Sequence, residues 1–131
     1  MKRLTIFALI ILGLCVGDTF GHKNVLMVVN KLNSRVRVHC HSRNDDFKVQ
    51  ILYPHDPPLL WRFGDTFIVG TKINCEFKYG YEWMHSVSFV AYRTSWSDSN
   101  QPTNNATWIV EKLGLFLSYN YRTPEFRYRW V

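Results

Sequence analysis

Past its first sixteen residues the chain has no long apolar run, so nothing later reads as a membrane-spanning helix, which needs about 20 apolar residues. The one charge-free stretch, Leu4 to Val16, follows Met1-Lys2-Arg3 and is itself too short for a span. A basic start and an apolar centre of that length are the pattern of a secretory signal. Cleavage after Gly17 and cleavage after Gly21 both satisfy the small-residue requirement, so the signal is assigned to residues 1–21 and the mature domain to 22–131. At 131 residues there is no room for a two-domain cofactor enzyme. No run of basic residues suggests nucleic acid, and no sustained helical stripe suggests a helical fold.

Cysteine is scarce. Of three, Cys15 lies inside the signal, leaving Cys40 and Cys75, without the Cys-x-x-Cys spacing of a zinc site. In an oxidising compartment two cysteines pair, closing a loop of about 35 residues for roughly 3 to 4 kcal/mol on the loop-entropy account. With residues 1–17 removed, 14 basic side chains face 10 acidic ones, a net of +4, and cleavage after Gly21 makes it +5. A basic secreted domain favours contact with acidic surfaces without identifying a partner.

What the chain has in quantity is aromatic and apolar residues, 16% and 47%. Period-two alternation recurs between turn clusters, which predicts strands. Val25–Val29 is a nearly continuous apolar run ended by Asn30–Ser34. Val36, Val38 and Cys40 then alternate with Arg37, His39 and His41. Phe47, Val49, Ile51 and Tyr53 alternate with Lys48, Gln50 and Leu52 before Pro54–Pro58 ends the strand. Leu59–Phe63, Ile73–Lys78, Val87–Tyr92, Thr107–Val110, Leu115–Tyr119 and the alternation of Phe126, Tyr128 and Trp130 with Arg127 and Arg129 complete about eight or nine strands. The expected fold is a single all-β domain, a small antiparallel β-sandwich with one disulfide between inward positions of two strands.

The motifs for chemistry are thin. His39 and His41 share a strand face, yet no third metal ligand is brought near them by spacing, with His55 and His85 the only candidates by composition. A ribonuclease-like use of two histidines has no more support. There is no Gly-x-Ser-x-Gly, and Asn44-Asp45-Asp46 reads as a turn. No catalytic residue, metal or cofactor is expected. Asn105-Ala106-Thr107 is an N-glycosylation sequon that follows the loop-like stretch Ser95–Asn104.

In order along the chain, Val28-Val29-Asn30-Lys31-Leu32-Asn33, Val38-His39-Cys40-His41-Ser42 with Asn44-Asp45-Asp46, Trp61-Arg62-Phe63, Cys75-Glu76-Phe77, Trp108-Ile109-Val110 and Gly114-Leu115-Phe116 resemble the blocks of the plant self-incompatibility S-protein homologue family. Two departures stand out. The family's second cysteine pair is missing where this chain reads Asn104-Asn105-Ala106-Thr107, and Phe47 stands where a glycine often follows the paired Asp.

The resemblance implies a secreted β-sandwich acting as an extracellular recognition or signalling ligand for a cell-surface receptor or other extracellular protein, not an enzyme. The alternatives are a basic cell-wall or defence protein without a specific receptor, and, last, a ribonuclease-like enzyme. As binding positions we expect loop residues: Asn44, Asp45, Asp46, His55, Asp56, and the aromatics Tyr81, Trp83 and Trp96, because exposed Tyr and Trp anchor interfaces.

Overall fold

The computed structural model describes residues 23–64, 70–96 and 103–131, so the proposed signal lies outside the described residues. Among the described residues the chain forms nine strands and two short 3-10 turns. The strands are β1 (Lys23–Asn30), β2 (Val36–His41), β3 (Asp46–Leu52), β4 (Leu59–Gly64), β5 (Lys72–Tyr79), β6 (His85–Arg93), β7 (Thr103–Val110), β8 (Gly114–Tyr119) and β9 (Glu125–Arg129). They make two sheets, ordered β4-β1-β7-β8-β9 and β3-β2-β5-β6. The all-β sandwich is as expected, with one difference: β1 and β7 run parallel, Lys23 opposite Thr103 through Asn30 opposite Val110. All other pairs are antiparallel.

Alternation explains most of the core. Val36, Val38 and Cys40 on β2, Ile73, Cys75 and Phe77 on β5, and Leu115 and Leu117 on β8 are all buried. The aromatics fill the space between the sheets in edge and tilted contacts. Phe77 meets Phe89 at 5.0 Å, Phe89 meets Trp108 at 4.6 Å, and Tyr128 lies over Trp108 at 5.9 Å. Such pairs add about 0.5–1.5 kcal/mol each beyond their buried area. Trp108 on β7 also donates its indole N–H to the Ala91 carbonyl of β6 at 3.0 Å, a hydrogen bond from one sheet to the other.

Three strands break the alternation, β6 among them, where the register shifts past Ala91 and both Ala91 and Tyr92 are buried. On β3, Lys48 takes φ 69 beside a register shift in β2, and the bulge inverts the face that follows. Leu52 is therefore inward at 2% exposure while Val49 is 43% exposed, against the sequence pattern that grouped Val49 with Phe47. On β9 the partners step from Tyr128 opposite Leu115 to Phe126 opposite Phe116, leaving Arg127 as the extra residue. Tyr128 consequently turns its ring toward Trp108 while staying 36% exposed, and Phe126 meets Phe116 edge-on at 5.4 Å on the other face. Gly114, where β8 begins, has the Tyr128 carbonyl so close that a Cβ would collide with it, and only glycine lets β9 approach there.

Cys40 and Cys75 are directly opposed on β2 and β5, and they are bonded. The staple thus joins neighbouring strands of one sheet rather than the two sheets.

Candidate functional site

Register sorts the loops into two groups. β1, β3, β5 and β7 finish where β2, β4, β6 and β8 begin, and the Asn30 side-chain amide, donating to the Leu52 carbonyl at 3.0 Å, ties the two sheets together at that end. We call it the Asn30 end. The opposite, His41 end carries the turns Ser42–Asp45 and Asn120–Pro124 and the chain around Gly70 and Thr94. The expected binding positions are therefore not brought together. Asn44, Asp45, Asp46 and Trp96 sit at the His41 end, and His55, Asp56, Tyr81 and Trp83 at the Asn30 end.

At the Asn30 end the chain turns in tight, conformationally fixed loops. Gly80 at φ 92 opens the β5–β6 turn, and Glu82 and Trp83 follow at φ 51 and 56, a left-handed run that costs strain and survives only where the surroundings hold it. Arg35 provides one hold, its guanidinium 4.8 Å from the centre of the Trp83 ring. Trp83 is accordingly half-buried, not a free anchor, whereas Tyr81 beside it is 80% exposed and Met84 64%. In the β3–β4 loop the Asp56 carboxylate accepts the Tyr53 N–H at 2.8 Å, and the Asp56 N–H donates to the Tyr53 carbonyl at 3.1 Å. This reciprocal pair holds His55 at φ 68 and leaves Tyr53 exposed. Leu113, on the β7–β8 turn, is also exposed. Asp56 was expected as a contact residue; its carboxylate is occupied in closing its own loop. Met84 and Leu113 were missed because sequence alone did not mark a short apolar residue in a turn as exposed.

At the His41 end the reading of Asn44-Asp45-Asp46 as a turn holds. The Ser42 N–H donates to the Asp45 carbonyl at 2.8 Å, and the Asp45 N–H to the Ser42 hydroxyl at 3.2 Å. Asp46, the first residue of β3, accepts from the Lys48 N–H at 2.9 Å and meets His39 Nε2 at 2.8 Å. The Lys48 amide above all, and then His39, hold the Asp46 carboxyl below its usual range. His39 and His41 do share a face, with ring centres 6.2 Å apart, but the acid beside His39 is already engaged by two donors. Among the described residues no three His, Cys, Asp or Glu side chains cluster as a metal site would require.

Two expected positions need correction. Trp96 is half-buried, packed edge-on against Tyr92 at 5.9 Å and Tyr119 at 6.1 Å, with Tyr119 donating its hydroxyl to the Trp96 carbonyl at 2.6 Å. Its indole is committed to closing the sandwich. Asn105 is not at the edge of a loop but inside β7, flanked by β1 and β8, and only 3% exposed. Its amide nitrogen donates to the Tyr121 hydroxyl at 3.1 Å, and its amide oxygen accepts from Thr107 at 2.6 Å. The folded protein offers no room for a glycan there. Loop composition misled because Asn120 supplies partners to both asparagines inside the fold: its side-chain oxygen accepts the Asn105 N–H at 2.7 Å and its amide donates to the Asn104 side chain at 3.2 Å.

Comparison with known proteins agrees with this architecture. Residues 25–130 match the plant self-incompatibility protein S1 family. The Arabidopsis thaliana S-protein homolog 11 is 27% identical over 131 aligned positions, spanning 95% of this chain and 90% of that protein. S-protein homolog 21 from the same plant is 42% identical over 57 residues, 40% of this chain and 42% of the relative. A solved structure of an SPH (self-incompatibility protein homologue) protein, described as belonging to a widespread family of small, highly stable, secreted plant proteins, superimposes with a TM-score of 0.66 at 20% identity, covering 86% of this chain and 97% of the other. That likeness extends to the fold, and the match over residues 25–130 extends to the lineage. The chain belongs to the plant self-incompatibility protein S1 family.

Proposed function

We propose that the protein is secreted and acts as an extracellular recognition ligand that engages a cell-surface protein through the Asn30 end of its sandwich, with no catalysis of its own. The observation carrying this reading is that Tyr53, Tyr81, Met84 and Leu113, four exposed apolar side chains on three turns, all lie at that end. Exposed apolar groups scattered singly need no explanation, but a group of them at one end of a small soluble domain suits a protein partner. Tyr and Met are enriched at interface cores, and a preformed turn spends little conformational entropy on binding. The secreted character described for the solved relative supports an extracellular setting, and among the described residues no helix is long and apolar enough to cross a membrane. Membership of the family does not make this chain a determinant of self-incompatibility.

The test is binding of the labelled, secreted protein to candidate target cells. The double variant Tyr81→Ala/Met84→Ala should weaken binding at least tenfold, about 1.4 kcal/mol. Tyr121→Ala, which removes an equally exposed aromatic from the opposite end, should change it less than twofold. If the Tyr121 change is the more damaging, or if neither has an effect on measurable binding, the Asn30 end is not the recognition surface.

A further inference from the structure

The outer face of the β3-β2-β5-β6 sheet carries a second feature that recognition at the Asn30 end does not use. Where β2, β5 and β6 reach the His41 end, a shallow open cleft of about 650 Å³ is lined by Arg43, Lys72 and Arg93 together with Ser42, Asn74 and Ser95. Inward Ile73 and Tyr92 leave their neighbours Lys72 and Arg93 pointing outward, and these two cations are direct partners across the β5–β6 ladder. Like charges so opposed destabilise a sheet. His41 faces the same cleft, opposite Asn74.

No described acid relieves the pair. The ion pairs on this face lie further along it, where Glu76 takes Arg37 at 3.5 Å and Lys78 at 3.8 Å. Among the described residues that line the cleft none is acidic, and Asp45 lines the adjoining groove together with Arg43. The floor is firm. The Thr94 N–H donates to the Thr71 carbonyl at 2.9 Å, locking the end of β6 to the approach to β5.

The geometry points to a binding cleft for an acidic polysaccharide, a chain bearing a carboxylate on each sugar. Three exposed cations supply the charge complement, and the hydroxyls of Ser42 and Ser95 with the amide of Asn74 match the neutral hydroxyls that such a polymer carries between its carboxylates. The shape is an open trough, which suits a polymer running through rather than a small molecule enclosed. Among the described residues the lining contains neither a stacking Phe, Tyr or Trp, which single-stranded nucleic acid would use, nor an apolar side chain to enter a membrane surface. This cleft lies at the end of the sandwich away from Tyr81 and Met84, so one molecule can hold a polymer and present its other end to a cell.

The experiment measures binding of the secreted protein to polygalacturonate, to fully methyl-esterified polygalacturonate and to poly-glutamate, at 150 mM salt. Expected is binding to the first alone, weakened at least tenfold by Lys72→Glu/Arg93→Glu and changed less than twofold by Arg122→Glu/Arg129→Glu, which alters net charge equally at the β9 side of the other sheet. Equal loss in the two variants would reduce the effect to overall charge and overturn the cleft. Equal affinity for poly-glutamate would make the ligand an acidic peptide instead, and absence of binding to polygalacturonate would end the proposal. Melting temperature is recorded for each variant. Should the double charge reversal fail to fold, Arg93→Gln is read in its place, with a threefold loss expected and no loss overturning the proposal.

Discussion

Replacing both bridged cysteines, Cys40→Ala/Cys75→Ala, tests how much of this small domain's stability rests on one bond. The half-cystines are separated by 35 residues along the chain and their Cα atoms lie 4.0 Å apart as ladder partners. Closing a loop of that length in the unfolded chain is worth about 3.8 kcal/mol at 25 °C on the entropy account. Both sulfurs are buried, and removing each forfeits roughly a methylene's worth of burial, about 0.8 kcal/mol. The expected loss is thus about 5 kcal/mol, set against a total of about 5–15 kcal/mol for a domain of this size. In thermal terms the midpoint should fall by about 20 °C. Urea titration followed by tryptophan fluorescence gives the loss directly, provided the slope with denaturant is compared between variants. The single change Cys75→Ala should cost nearly as much as the double, because either removes the closure. A loss below about 1.5 kcal/mol would refute the closure argument, and two free thiols in the native secreted protein would refute the pairing itself.

Two further outcomes follow from local geometry. Because Asn105 is enclosed in β7, intact-mass measurement of protein secreted from a plant host should find the sequon unoccupied, and Asn105→Ala should cost about 1–3 kcal/mol by removing two hydrogen bonds, to the Tyr121 and Thr107 hydroxyls; a glycan on Asn105 in folded protein would contradict the placement. The Asp46 carboxyl has a folded pKa below its unfolded one, so its contribution is present above the ordinary carboxylate range and is lost as pH falls through the lowered folded value. Carbon-13 NMR titration should find Asp46 titrating below the ordinary carboxylate range, and His39→Ala should move it part of the way back while the Lys48 amide keeps it low. Unchanged titration in that variant would mean that His39 contributes nothing.

Strand positions were legible wherever a strand stayed regular. The alternations at Val36–Cys40 and Ile73–Phe77 gave both the elements and the inward cysteines, because period two maps directly onto the two faces of a sheet. It failed at Lys48 and Arg127, where one extra residue reverses the faces and composition carries no mark of it. It failed again at Asn104 and Asn105, polar residues that a sequence reading assigns to solvent. Their burial depends on Asn120, Tyr121 and Thr107 supplying partners, two of which come from a turn fifteen residues later. The loops were found, but their division between two ends follows from strand order, to which single-strand patterns are blind. The basic cleft escaped for a related reason: Arg43, Lys72 and Arg93 are far apart in sequence and only the β2-β5-β6 order gathers them.

The parallel pairing of β1 with β7 also imposes an order in time. The β3-β2-β5-β6 sheet draws on residues 36–93 alone and is paired by antiparallel neighbours, so it can assemble, and its cysteines meet, while the chain is still emerging. β1 leaves the ribosome earlier still, yet its partner at Thr103 is 80 residues behind Lys23. Until β7 arrives, one edge of β1 stays open, with β4 on the other side. The first strand made is therefore among the last completed. The interval between them is when this chain is most exposed to mispairing, since contacts so distant in sequence form slowly.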